Sequence, residues 1–560
     1  MIRASLLLIA FIVFQSIYAQ NINFQAPLDI PLLLSGNFAE LRSDHFHSGV
    51  DFKTQGVTGQ KVRSIDEGYV SRIKIQTQGY GNAIYINHPG GFTSVYGHLS
   101  SYNSLISEYV KIYQYSNQTH TLDLYPGKNE IRVKKGEIIA LSGNTGSSAG
   151  PHLHLEIRNS ATQHPLNILN YNFNISDTIS PRIYNLYLYT IEGAKKRQIV
   201  SGRRQLSLKN SNSIFTLSDA QKPVISGDLG IGLEVYDFLD NSPNRCGIYT
   251  MELFVNTELI YFFKTDEFSF SESRYINSHT DYSLRIDEKK RVHRLFKLPN
   301  NSLSMEKFDL NEGVIKFETG TEYSIKILIE DVAGNKSELD FEVQGGPPSS
   351  KIIESTNKKN ILKWDEENLI SNHVFKFSIP KGGLYEDAEI NYSRTQGTNS
   401  EHEFIHKIGD PRIPLHSSAD LYISTNGIEK ELLSKICIIN IDEDVKNYIG
   451  GIVDDEDWMK VKIREFGSFS IDIDTIAPKI QKLKSPTSLK FMVKDELSGI
   501  AKYEGFIDND WALFEYDPKK DLISYYYDKD KLKKGVDHEI ELYVTDNKGN
   551  TALLHSSFFW

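Results

Sequence analysis

The feature that most narrows the fold is a period of two. Short runs such as "YSIKILIE" (323–330) and "IELYVT" (540–545) alternate apolar and polar residues, with Gly and Pro between runs. Alternation sends successive side chains to opposite faces, so each run reads as a strand with one buried face. Stretches with a 3.6-residue period are few, and an abundance of Tyr (30) and Phe (29) also favours strands. A chain of 560 residues exceeds one core, which implies roughly three to five domains.

An internal repeat divides the chain further. "DTISPRI" (177–183) recurs as "DTIAPKI" (474–480), and "VYD…CGIY" (235–249) is echoed by "VKDELSGI" (493–500). "DVAGNKS" (331–337) recurs as "DNKGNTA" (546–552). Three signatures in one order indicate two copies of a module, the first with a longer insertion. The expected organisation is mainly β: an N-terminal antiparallel-β domain (20–170), an Ig-like β-sandwich with an insertion (171–345), a β-sandwich module (346–473) and a second Ig-like sandwich (474–560). "GGPPSS" (345–350) reads as a linker.

"MIRASLLLIAFIVFQSIYAQ" has a basic start, an apolar centre and Ala19 before Gln20, the pattern of a cleaved signal peptide (1–19). Its apolar run is about half the ~20 residues that span a bilayer, and no later segment is long enough. The mature chain is therefore expected to be exported, periplasmic or wall-associated, with no membrane span. Cys246 and Cys437 make no disulfide framework. A net charge of −11 argues against a nucleic-acid partner.

The chemistry concentrates in "GNTGSSAGPHLHLEIR" (143–158). On a strand, His152, His154 and Glu156 share one face and Leu153, Leu155 and Ile157 the other. Two imidazoles beside a carboxylate are either metal ligands or polar residues on a wet sheet face. "DHFHSGVDF" (44–52) adds His47 and Asp51, four apart, with Gly49 letting the chain turn between them. Imidazole and carboxylate are both zinc donors, and three such ligands leave an open position for water. "VYGHLS" (95–100) places His98 at a strand end.

"HSGVD", "YGHL" and "GPHLHLEIR", in that order, resemble the lysostaphin-type (LytM-like) zinc endopeptidases of peptidoglycan cross-links. "VRSIDEGYV", "GYGNAIYINH" and "VKKGEIIALSGNTG" resemble that family's β-scaffold, so the likeness spans about 40–160. It implies one Zn2+ per chain held by His47, Asp51 and His154. It makes His98 and His152 the catalytic histidines, His152 taking the water's proton and His98 donating to the oxyanion or leaving group. Glu156 is either an orienting partner for an imidazole or half of a surface salt bridge. The implied substrate is a peptidoglycan stem peptide or cross-bridge, with a wall or protein partner open to the C-terminal modules.

Fifty-three residues separate His98 from His152, a surplus placed at about 111–130. A hairpin there reads as a groove wall, a lid or a plain surface excursion. "HEFIH" (402–406) matches a helical zinc-protease motif, but Gly409 and Pro411 and a strand-like context argue against a helix. His45 reads as a surface residue, and His88, His120 and His164 lack a constellation. One DxxGN turn supplies far fewer oxygens than the six to eight calcium needs, so these turns read as structural. The alternatives to a wall endopeptidase are a non-catalytic regulator or scaffold of another wall hydrolase, an adhesion or structural protein, and a zinc peptidase acting on proteins.

Overall fold

The computed structural model describes residues 23–193, 197–219, 221–308, 310–347, 360–397, 404–443 and 445–560. The signal-peptide segment 1–19, part of the 345–350 linker, and His402 and Glu403 of the "HEFIH" motif lie outside them.

The N-terminal domain is built on one large antiparallel sheet. Its strand order runs Leu34–Gly36, Val50–Lys53, His152–Asn159, Phe92–Gly97, Asn82–His88, Gly68–Ile75, Leu122–Leu124. A smaller sheet pairs Ile138–Leu141 with Lys61–Arg63 and Ser101–Tyr102. Period two is obeyed on the central strand: Leu153, Leu155 and Ile157 are fully buried against Val50, Phe52, Ile84, Ile86 and Tyr96. The opposite face is not wet. His154, Glu156 and Arg158 are buried as well, Glu156 completely.

Register sets the site. On the central strand His154 faces Asp51 on one side and Gly97 on the other. Gly49 is required by close approach more than by a turn, since a Cβ there would lie 2.2 Å from the Leu155 carbonyl oxygen.

The expected hairpin at 111–130 is replaced by a helix, Ser104–Asn117, followed by the short strand Leu122–Leu124. Asn103 caps the helix by accepting from the Ile106 amide, and Ile106, Val110 and Gln114 form a buried stripe at helical spacing. None of its residues lines the groove around His47, His98, His152 and His154. The helix meets the C-terminal module through Tyr115 against Trp511, and Lys111 Nζ 2.8 Å from Asp528. Three residues past its end, His120 stacks on Tyr503.

Downstream, strands pair into three sets, of two, three and two sheets, spanning Arg182–Gly345, Ile361–Ile473 and Lys479–Phe559; the third sheet of the middle set is only the pair Ile361–Leu362 with Ala388–Glu389. The last two sets each enclose their own apolar core. The first set shares its core with the N-terminal domain: Phe38, Leu41 and Phe46, between the first two strands of the large sheet, pack among Leu186, Ile231, Leu233, Met251 and Phe268. Cys246 and Cys437 are both free and buried.

Candidate metal centre and its groove

Three segments far apart in sequence bring His47, Asp51 and His154 together. His47 Nε2 lies 3.1 Å from His154 Nδ1 and 3.1 Å from Asp51 Oδ1, and His154 Nδ1 lies 2.9 Å from Asp51 Oδ1. Each ring is oriented from behind by an acceptor. The Asn37 carbonyl accepts from His47 Nδ1 at 2.8 Å, so that nitrogen carries the proton and Nε2 is free to donate a lone pair. Glu156 Oε1 faces His154 Nε2 at 2.9 Å and leaves Nδ1 at the centre. Asp51 is held at its other oxygen by Arg42 Nη2, 2.7 Å from Oδ2.

His152 and His98 complete a ring around this point. His152 Nε2 lies 3.4 Å from Asp51 Oδ1, while its Nδ1 is 2.8 Å from the Gly150 carbonyl. His98 Nδ1 is 2.7 Å from the Thr145 carbonyl, and its ring centre lies 4.7 Å from that of His152. His98 has φ 58°, the left-handed region that a non-glycine residue adopts at a cost. The two rings therefore both present Nε2 as an acceptor.

The electrostatics call for a positive charge at the centre. Burial opposes a charged ring at His154, yet hydrogen bonds to Asp51 and Glu156 raise it to about 9. Burial likewise opposes ionised Asp51, but His47, His152 and His154 hold it well below the carboxylate range. His98 has no such support: burial, and then the neighbouring His154 and His152, push it down to about 3.

The donor set fits zinc. Its triangle of two nitrogens and one oxygen has edges of 2.9–3.1 Å. A tetrahedral zinc with bonds of about 2.0–2.1 Å has ligand–ligand edges of about 3.3–3.4 Å, a few tenths wider.

Sequence reasoning named the five polar residues but missed most of what supports them. Glu156 is no surface salt-bridge partner: besides His154 it accepts from Ser48 Oγ at 2.6 Å, Tyr80 at 2.5 Å and Arg158 Nε at 2.5 Å. Arg158 continues the 152, 154, 156 alternation, a signal available in the sequence. Asn37, Arg42 and Tyr80 carried none. His45 is half-exposed beside Asp44, as a surface residue. In the "HEFIH" segment Phe404–Ile408 is a strand, and His406 is buried against Phe375 with its Nδ1 on Tyr392.

The centre opens into a groove of about 1260 Å³. One wall comes from the next module, through Phe270, Ser273 and Arg291. Ser273 Oγ accepts from the Phe46 amide, and Arg291 reaches Glu40.

Two imidazoles and a carboxylate around one point, with two more imidazoles at the rim, are the equipment of a single-metal hydrolase. Residues 45–115 and 105–167 match the family model described as peptidase family M23, and the N-terminal domain belongs to that family of peptidases. Residues 359–474 match a Zu5-like domain. The chain is 31% identical over 118 residues to the DD-carboxypeptidase/endopeptidase Mpg of Neisseria meningitidis, covering 21% of each protein. It is 37% identical over 123 residues to an uncharacterized metalloprotease of Haemophilus influenzae, covering 22% of this chain and 21% of that one. It is 32% identical over 129 residues to lysostaphin of Staphylococcus staphylolyticus, covering 22% of each. The matches thus span about a fifth of these relatives' length. Among solved structures, the lysostaphin catalytic domain of Staphylococcus simulans aligns at 26% identity with a TM-score of 0.17, over 23% of this chain and 80% of that one.

Proposed function

We propose that this chain is an exported zinc endopeptidase that hydrolyses an amide bond in the peptide cross-bridges of peptidoglycan. The observation that supports it most is the triangle of lone-pair donors, His47 Nε2, Asp51 Oδ1 and His154 Nδ1, with edges near 3 Å. These three residues hold the ion in this reading. Zn2+, when bound there, supplies a Lewis acid that brings the pKa of water from about 16 to near 7 and polarises a carbonyl.

The chain's own residues handle the protons. His152 Nε2, with its Nδ1 proton tied to Gly150, is placed to accept the proton of the attacking water. His98 begins neutral, because burial disfavours its charged form. At rest it is an acceptor, and it donates to an oxyanion or leaving amine only after receiving the proton that the water gives up to His152, whose ring centre is 4.7 Å away. The donor role implied by the family resemblance thus belongs to a later stage of the cycle than the attack. Phe270 and Arg291 of the following module line the same groove and are placed to contact the substrate chain.

The cell-wall substrate rests on what the relatives are named for: an endopeptidase of Neisseria and lysostaphin. The decisive experiment digests purified sacculi with the full-length chain, with and without a zinc chelator, and identifies the released fragments by mass. Chelator-sensitive release of peptides cleaved in the cross-bridge is the expected result. Zinc-loaded protein that releases nothing from sacculi refutes the proposal.

A further inference from the structure

The repeat signatures contain six aspartates whose role is not explained by turn formation alone. In the first copy, Asp177, Asp237 and Asp331 come from three remote segments, yet their carboxylate oxygens lie within 4.8 Å of one another. Asp237 and Asp331 are each only 3% exposed. Asp237 Oδ1 is buried with no hydrogen-bond partner. Among the described residues, the charges that bear on Asp177 and Asp237 are other aspartates, including Asp240 beside Asp177. Two buried carboxylates and a half-buried third, gathered without a cation, are an expensive arrangement.

We propose that Asp177, Asp237 and Asp331 form a calcium site at the junction between the peptidase domain and the module that follows it. All the donors are oxygen, which selects a hard cation over zinc or copper. Two oxygens bound to one Ca2+ at 2.3–2.6 Å can stand up to about 5 Å apart, which accommodates this cluster. Magnesium dehydrates reluctantly and suits this buried position less well. The cluster is also pre-organised on one side: the Asn335 amide and side chain hold the two Asp331 oxygens at 2.9 and 2.8 Å. In an ion-free chain, burial pushes Asp237 up to about 9, so a proton occupies the position that the cation takes.

The second copy assembles Asp474, Asp495 and Asp546 in the same way, again with one buried and unpartnered oxygen, Asp495 Oδ1. There Lys435 Nζ already sits 2.6 Å from Asn550 Oδ1, beside the cluster. The proposal concerns the first copy.

Its position gives the site a task. Asp237 and Cys246 exchange two backbone hydrogen bonds, at 3.0 and 2.8 Å, closing the loop between them. The Gly247 amide then donates to Asn37 Oδ1 at 2.7 Å, and Asn37 Nδ2 returns a bond of 2.8 Å to the Gly247 carbonyl. Asn37 is the residue whose carbonyl orients His47. A cation on Asp237 fixes the loop that braces this part of the metal centre.

The test uses the full-length, zinc-loaded chain stripped of calcium, so that the first metal site is already filled. Titrating CaCl2 to about 10 mM in a calorimeter should give saturable binding in the 10⁻⁴–10⁻³ M range of extracellular modules. The unfolding midpoint should rise by about 3–6 °C at ten times Kd. Asp237→Asn should abolish that binding event and its shift. Asp177→Asn, at the half-buried rim, should weaken both and serves if the first variant does not fold. No binding and no shift by 10 mM overturns the proposal, as does an unchanged response in a folded variant. An equal shift with MgCl2 overturns the choice of ion.

Discussion

Glu156→Gln isolates the residue on which the back of the candidate metal centre depends. Glu156 is fully buried and accepts four hydrogen bonds, three at Oε1 from His154, Ser48 and Tyr80 and one at Oε2 from Arg158. Glutamine keeps the shape and one acceptor. If its oxygen takes the Oε1 position, its NH2 faces the Arg158 guanidinium, donor against donor. Arg158 is 7% exposed and then retains only Tyr80 at 3.3 Å and the rings of Tyr85 and Phe270. Removing one partner of a buried pair costs about 3–5 kcal/mol, and the isosteric replacement places this case near 3. For the metal, the His154 acceptor stays but loses its charge, so affinity should fall toward the lower end of the about 10- to 100-fold range typical of a lost orienting partner, about 1.4 kcal/mol. Denaturant unfolding of the metal-free protein reads the first quantity. Zinc competition against a chromogenic chelator reads the second. Wild-type values for both in Glu156→Gln would refute the view that this carboxylate fixes the His154 tautomer.

His154→Ala should abolish zinc binding, whereas His98→Ala should retain zinc and lose turnover by about 10²-fold or more; zinc loss in the latter would make His98 a ligand. Gly49→Ala drives a Cβ into the Leu155 carbonyl and should cost about 1–3 kcal/mol in denaturant unfolding. Asp281 is opposed by burial but held ionised below its ordinary value of 3.8 by Arg294, Arg203 and the Leu284 amide. Its folded value is the lower one, so its contribution is complete above about pH 4 and fades as pH falls; the stability gap between wild type and Asp281→Asn should be near 3 kcal/mol at pH 7 and shrink by pH 3. A fragment ending at residue 170 exposes Phe38, Leu41 and Phe46, each worth about 1.5–3 kcal/mol of burial. It should bind zinc less tightly and unfold earlier than a fragment ending at 345, and equal behaviour would contradict the shared core.

How much of this was legible depended on whether a signal was local. His152, His154 and Glu156 could be placed on one face because strand geometry has a fixed period, and the same rule reaches Arg158. His47 and Asp51 flank a glycine whose need lies in a neighbouring strand, so the sequence displayed the residue without its reason. The helix Ser104–Asn117 escaped because Gln114 occupies one of its three buried positions, which breaks the apolar stripe. Asn37 orients His47 through a backbone carbonyl, which any residue type carries, so no motif could announce it. In sequence each aspartate of the repeats stands in its own turn, and each turn alone is too poor in oxygens for a cation. Their convergence is a property of the sandwich, where residues 177, 237 and 331 meet.

The same loss of locality explains how the peptidase domain and its neighbour are joined. The segment between the first two strands of the large sheet leaves the domain's own core, buries Phe38, Leu41 and Phe46 in the next module, and returns one residue later as His47. An interface made this way differs from two surfaces in contact, because detaching the module removes apolar burial from the chain segment that carries a metal donor. Total stability of a domain is only about 5–15 kcal/mol, and three such side chains represent a large part of it. The groove inherits this dependence: one wall is the module's Phe270 and Arg291, and the carbonyl behind His47 belongs to Asn37, which the module's Gly247 holds. The module is thus a structural part of the candidate metal centre, and variation in it will be felt at the histidines before it is felt at any surface of its own.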